Sequence, residues 1–223
     1  MSWYQIACFV VLVIGPGLSR AQELPGETQQ IVEWIVAPYV GVGNNSPVST
    51  QWGVTPDRDH LLLGVHLSTG VARVGPVSLR YAPSLMPLII ISNNPEWRSE
   101  TRIIDGLTVS GLWETGHSPV YGMGLSPFGL EIELSASQSV KLYGSGAVGA
   151  LWFSRNMPSP ESRRFNYAFD FGGGLRARGG RALGLQIGYK FLHISNAYTA
   201  RANPGVDGHI VYGGVFWTVG VPR

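Results

Sequence analysis

From about Ala182 to Ser195 the chain changes character residue by residue. Leu183, Leu185, Ile187, Tyr189, Phe191, His193 and Ser195 share one parity, and Ala182, Gly184, Gln186, Gly188 and Lys190 the other. A period of two belongs to an extended strand, whose successive side chains point to opposite faces, so this stretch is a strand with one apolar face. That face ends in two aromatics and then His193 and Ser195, two residues apart and projecting the same way at the strand's tip. A base beside a hydroxyl is the minimum equipment for nucleophilic catalysis.

The period recurs along the chain. Val32, Trp34, Val36, Val40 and Val42 oppose Glu33, Ala37, Tyr39 and Gly41; Leu61, Leu63, Val65 and Leu67 oppose Gly64, His66 and Ser68. Val77, Leu79 and Tyr81 oppose Ser78 and Arg80, with Leu85, Ile89 and Ile91 extending that strand beyond Pro83. Tyr121, Met123 and Leu125 alternate with glycines up to Ser126-Pro127, after which Leu130, Ile132 and Leu134 oppose Glu131 and Glu133. That one-residue change of phase predicts a bulge. Val140, Leu142, Val148 and Trp152 oppose Lys141, Tyr143 and Ser145, and Phe165, Tyr167, Phe169, Phe171 and Leu175 oppose Arg164, Asn166, Asp170 and Arg176. Val211, Val215, Trp217 and Val219, opposed by Tyr212, Gly214, Thr218 and Gly220, complete a set of eight strands.

The gaps between strands alternate in length. Asn44 to Asp57, Ser92 to Pro119, Ser154 to Arg163 and Asn196 to Val206 are long, whereas Val71 to Gly75, Ser135 to Gln138 and Arg178 to Gly180 are short. Outer-membrane barrels show this asymmetry, with long external loops and short periplasmic turns, and an even strand count leaves both chain ends in the periplasm. The stretch from Ser92 to Pro119 is read as a loop, with a hairpin over Arg102 to Trp113 as the alternative. Periodicity alone does not say which face is inside, and a soluble lipocalin-like barrel would turn its apolar face inward. The opposite faces decide: Arg164, Asp170, Arg176, Lys190, Gln186, Lys141, Glu131 and Glu133 can pair within a narrow lumen, while Phe165, Phe169, Phe171, Tyr189 and Phe191 supply an aromatic girdle. The expected fold is all-β, an eight-stranded antiparallel transmembrane β-barrel of the outer-membrane type.

Composition agrees with that reading, since only 13% of the 223 residues are charged while 30 are Gly and 11% are aromatic. A net charge of +2 is too small to argue for nucleic acid. Ile6 to Ile14 form an apolar run followed by Ser19-Arg20-Ala21, a small-x-small pattern before Gln22. Residues 1–21 are therefore read as a signal peptide and 22–223 as a single outer-membrane barrel domain. Cys8, the one cysteine, precedes most of the apolar run, so the mature chain holds no disulfide and strand closure must supply its stability. No later stretch reaches the roughly 18 apolar residues of a membrane helix. Five scattered histidines give no metal spacing; His66 should face the lumen, and His60, His117 and His209 should lie in loops or at strand ends.

The tip of the seventh strand faces lipid at the external end, where ester groups and sugars of the outer leaflet lie. Beyond it Asn203-Pro204-Gly205-Val206-Asp207 turns into the eighth strand, and Asp207 shares a face with Val211, Val215 and Trp217. In an antiparallel pair Asp207 can then come beside His193 and orient its imidazole. Taken singly these residues are ordinary: polar groups at an interface, a turn, a turn cap. Their joint spacing argues for a site.

That spacing resembles the lipid A 3-O-deacylase family (PagL type), eight-stranded outer-membrane barrels that remove an ester-linked acyl chain from lipopolysaccharide. The resemblance rests on His193-Ile194-Ser195-Asn196, then Asn203 and the acidic Asp207, and on the segment Val120-Tyr121-Gly122-Met123-Gly124-Leu125-Ser126-Pro127-Phe128-Gly129-Leu130. It implies His193 as base, Ser195 as nucleophile, Asn196 and Asn203 as residues of site geometry and the oxyanion hole, and Asp207 where the best-known members carry glutamate. Aspartate keeps the charge and shortens the reach by one methylene.

The resulting expectation is a lipid-facing serine esterase acting on lipid A, a deacylase or acyloxyacyl hydrolase-like enzyme, with no cofactor and no metal. Its expected partners are lipopolysaccharide in the outer leaflet and membrane lipid, not nucleic acid, with a homodimer left open. The competing class is a non-catalytic outer-membrane barrel serving structure, adhesion or ligand binding.

Overall fold

Every regular element among the described residues is a strand: β1 (Ile31–Asn44), β2 (Asp59–Val74), β3 (Val77–Tyr81), β4 (Ser84–Ile104), β5 (Leu107–Ser135), β6 (Val140–Met157), β7 (Arg163–Arg178), β8 (Leu183–Ser195) and β9 (Val206–Pro222). The structure, a computed structural model, describes residues 31–44, 52–179 and 183–222. The signal peptide expected over residues 1–21 lies outside the described residues.

β3 and β4 are one stave of the barrel. Both pair with β2 on one side and β5 on the other. They are separated only by Ala82-Pro83, where proline has no N–H to give to a ladder. Neighbours in sequence pair antiparallel throughout, and β1 closes the ring by pairing with β9, Trp34 opposite Val219 and Val42 opposite Val211. Eight staves result, as the alternation demands, and closure leaves no open edge. The bulge expected at Ser126-Pro127 appears as a register shift between Leu125 and Phe128 in the β5–β6 ladder.

The two faces fall as a membrane barrel requires. Leu63, Leu85, Met123, Leu125, Leu130, Ile132, Leu185, Ile187 and Val211 are exposed on the outside, where lipid replaces water. The lumen is filled in two layers. Toward the short turns lie the charges: Arg176 donates to both oxygens of Glu131, at 2.7 and 2.8 Å, and Lys141 donates to Glu133 at 2.7 Å. Lys190 Nζ donates to the Tyr39 hydroxyl at 2.8 Å and lies 4.0 Å from Asp170. His66 joins this layer, its ring 4.6 Å from that of Tyr39. Toward the long loops Leu62, Met86, Ile89, Ile91, Leu151, Phe153, Leu192, Ile194 and Ile210 form a dry cluster. Charges are tolerated inside because each has a partner, and the apolar layer stops water from running through. Arg164 departs from the expected inward set. It sits near the start of β7, above the paired part of the barrel, and is exposed.

The stretch from Ser92 to Pro119 is not a loop. β4 and β5 stay paired far past the barrel, up to Ile104 opposite Leu107, and form an external two-stranded ribbon. Asp105 and Gly106 make its turn with φ of 50° and 80°, the left-handed pair that a two-residue hairpin requires. The alternation that marks a lipid-facing strand has no reason to persist there, because both faces of the ribbon meet water. That is why the stretch reads as a loop in the sequence, with the hairpin only as the alternative.

Candidate active site

His193 and Asp207 stand directly opposite each other in the β8–β9 ladder. Across the other edge of β8, Phe169 faces His193 and Tyr167 faces Ser195. Register and parity together place all of these on the outer face, at the end that carries the long loops. The His193 Nδ1 to Asp207 Oδ1 distance is 2.5 Å. A carboxylate can only accept, so Nδ1 carries the shared proton and Nε2 is left as the basic nitrogen. Ser195 lies two residues further along β8, about 7 Å by strand rise and on the same side.

Asp207 opens β9 on the outer face, yet only 2% of its surface is exposed. The cause is a segment of the first long loop that folds down over it. Gly53 N–H donates to Asp207 Oδ2 at 2.9 Å, so both carboxylate oxygens are occupied. Trp52 lays its ring against Phe191 at 5.5 Å, Phe169 at 5.6 Å and His193 at 5.8 Å. A second tie, Val54 N–H to Pro204 O at 2.8 Å, binds this segment to the loop between β8 and β9. Glycine eases two of these contacts. A Cβ on Gly53 would sit 3.0 Å from the Asp207 carboxyl carbon, and Gly205, at φ +64°, would press one 3.2 Å from His193 Cε1.

The turn after Ser195 is built by the two asparagines. Asn196 N–H donates to Asn203 Oδ1 at 2.9 Å, and Asn196 Nδ2 donates to Ala202 O at 2.7 Å. Thr199 returns both its N–H and its hydroxyl to Asn196 O. These bonds hold Ala197 and Tyr198 at φ of 50° and 60°, a left-handed pair that non-glycine residues adopt only under constraint. Asn196 and Asn203 thus fix the direction of the chain where it leaves Ser195.

His209 was expected only at a strand end, and it lies beside the site. It stands two residues after Asp207 on the same face, opposite Phe191, with its Nδ1 2.7 Å from the Tyr189 hydroxyl. Trp52, Gly53 and Gly205 carry no spacing signal, since what matters is a contact between segments about 150 residues apart. His209 could have been found, because parity alone puts it with Asp207 and Val211. Among the described residues no group of three acidic, histidine or cysteine side chains could hold a metal ion.

A closed ring of eight antiparallel staves, apolar outside and charge-paired within, is an outer-membrane barrel, and this one carries a carboxylate-oriented histidine on its lipid-facing surface. The family described as lipid A 3-O-deacylase (PagL) matches residues 90–215, more than half of the chain and a range that includes His193, Ser195, Asn196, Asn203 and Asp207, and the chain belongs to that family. The crystal structure of the outer membrane enzyme PagL is similar with a TM-score of 0.53 and 14% identity, over 83% of this chain and 99% of that one. The crystal structure of Neisserial surface protein A matches with a TM-score of 0.48 and 12% identity, over 83% of this chain and 96% of that one. Comparison with curated proteins gives no match. The protein is thus a member of the lipid A deacylases, resident in the bacterial outer membrane.

Proposed function

We propose that this barrel is a serine esterase that removes one ester-linked acyl chain from lipid A, with Ser195 as nucleophile, His193 as general base and Asp207 as the group that orients it. The observation that carries this reading is the hydrogen bond from His193 to Asp207 on a surface otherwise built for lipid. A buried carboxylate bonded to an imidazole there is costly for a purely structural barrel and useful to an enzyme whose substrate lies in the membrane plane.

In this scheme Nε2 of His193 takes the Ser195 proton as Oγ attacks the acyl carbonyl. Collapse of the tetrahedral intermediate breaks the bond to the sugar oxygen, which leaves with the proton from His193. Water, activated by the same histidine, then hydrolyses the acyl-enzyme and releases the fatty acid. Asp207 favours the tautomer and the imidazolium, and Gly53 holds Asp207. Because Asn196 and Asn203 are engaged in closing the turn, their part in the scheme is to shape it, and backbone N–H groups of that turn are left to meet the oxyanion. The scissile chain would lie along Tyr189, Phe191 and Val211 below the pair. No cofactor enters these steps.

The test is mass spectrometry of lipid A from cells producing the protein or its Ser195→Ala variant. Loss of one acyl chain with the first and not the second is the expected result. Loss of chains from glycerophospholipids alone would keep the esterase and reject lipid A as substrate. An unchanged lipid profile, with a labelled serine absent after treatment with an active-site serine probe, would favour the non-catalytic barrel.

A further inference from the structure

A cavity of about 450 Å³ opens at the external end of the barrel, between the base of the ribbon, the end of β6 and the start of β7. Its wall includes Arg98, Arg155 and Arg164, with Trp97, Glu96 and Asn156. Three guanidinium groups therefore meet one carboxylate. A hydrogen bond from Ser118, with Arg155 and Arg98 adding to it, holds Glu96 below the usual carboxylate range and so keeps it charged, yet three arginines against one carboxylate leave the balance positive at neutral pH. Arg155 is partly committed to the fold, donating to Ser118 O at 2.8 Å and lying 3.5 Å from Glu96 Oε1. Its Nε–H is buried and has no acceptor among the described residues. Arg98 and Arg164 are exposed, and neither donates a hydrogen bond to another described residue.

Position gives this cavity its meaning. Tyr167 is the cross-strand neighbour of Ser195, and Arg164 lies three residues before it on β7, further from the membrane. Three residues of strand rise are about 10 Å and one strand spacing about 5 Å, so Arg164, and with it the near wall of the cavity, stands roughly 11 Å by backbone from Ser195. A substrate with its ester at Ser195 and its acyl chain along β8 and β9 would extend its polar end toward that wall. Arginine forks match the oxygens of a phosphoryl group in pairs, which a single carboxylate or a neutral sugar would leave partly unused.

We infer that the cavity walled by Arg98, Arg155 and Arg164 seats a phosphoryl group carried on the headgroup of the substrate, and so sets which ester is presented to Ser195. This rests on the function proposed above, and binding can be separated from turnover. The full barrel carrying Ser195→Ala, in detergent micelles, is titrated with lipid A and with the same lipid stripped of its phosphates. The phosphorylated lipid should bind at least about tenfold more tightly, and adding Arg98→Gln and Arg164→Gln should erase the difference, as expected for two charge-assisted contacts. Heat-modifiable migration shows that each variant is folded. Displacement by millimolar inorganic phosphate would assign recognition to the bare anion, and failure to displace would assign it to a sugar-borne phosphate. Equal binding of the two lipids, or discrimination that survives loss of both arginines, overturns the inference. If discrimination holds while the parent protein deacylates nothing, the esterase reading falls and the phosphoryl seat stands; if the parent deacylates both lipids alike without discrimination, the reverse is true.

Discussion

Two of the barrel's acid–base pairs lie on opposite sides of its wall. Inside, Arg176 meets Glu131 through two parallel hydrogen bonds, is backed by Glu133, and lies under the Tyr143 ring at 4.2 Å, with all these side chains at most 5% exposed. Outside, His193 meets Asp207 through one bond, and 17% of the histidine side chain remains open. The inner pair is nearly closed: both Glu131 oxygens accept from Arg176, whose Nε–H alone finds no acceptor among the described residues. The outer pair is saturated only at Asp207, which takes Gly53 and His193 on separate oxygens, while Nε2 is left for a proton from elsewhere. A charge pair that stabilises a fold spends its bonding capacity internally, and one that serves chemistry keeps a group in reserve.

That contrast can be broken most forcefully at Asp207. Asp207→Asn keeps size and removes the charge that stabilises the imidazolium, so turnover of lipid A should fall on the order of 10⁴-fold, as in a protease triad treated the same way. Asp207→Glu should retain substantial activity. Combining Ser195→Ala with Asp207→Asn should cost little beyond Ser195→Ala alone, because residues that act as one unit are not additive. Full activity in Asp207→Asn alongside a dead Ser195→Ala would reduce the site to a His–Ser dyad.

The inner pair should respond in stability instead. Arg176→Ala leaves the buried Glu131 with only Arg80, 3.7 Å away, as a cationic partner among the described residues and should destabilise the barrel by about 3–5 kcal/mol, seen as a lower temperature for the heat-modifiable shift in gel migration. Activity per folded molecule should hold. If that variant lost activity without losing stability, the lumen and the site would be coupled through the wall. A smaller effect is expected at the cover. Trp52→Ala removes ring contacts worth about 0.5–1.5 kcal/mol each, so kcat/KM should drop roughly tenfold with the melting of the barrel little changed. Smallest is Lys141→Gln at the lumen mouth, where a side chain 38% exposed pairs with Glu133; a loss of about 1 kcal/mol or less is expected, reduced further by salt.

Much of the site was legible in the sequence because a strand has so few degrees of freedom. Once Leu183 to Ser195 is a strand and Asp207 opens its antiparallel neighbour, parity puts His193 and Asp207 on one face, and the ladder sets them side by side. What escaped is of another kind. Gly53 bonds to a residue 154 positions away, through a backbone N–H that every residue but proline owns, so its identity announces nothing. The ribbon was read as a loop, with a hairpin over Arg102 to Trp113 only as the alternative, because two strands that both face water need not alternate. His209 was within reach of the same parity argument that found Asp207.

The sequence by itself determined the staves, most of their inward and outward faces, the bulge after Leu125 and the ring's even number, because the pleat forces a period of two and one greasy face needs a solvent of its own kind. Ile89 and Ile91, read on one face with Leu85, instead turn into the lumen past the register shift between Met86 and Ile89. Only the tertiary structure decided that Trp52 and Gly53 close over the site, that Asn196 and Asn203 bind the turn after Ser195, and that arginines from the ribbon and from β6 and β7 line one cavity at the external end. Those contacts join segments whose spacing in the chain carries no period. Their geometry is set by loop closure and by the curvature of the ring rather than by any local repeat.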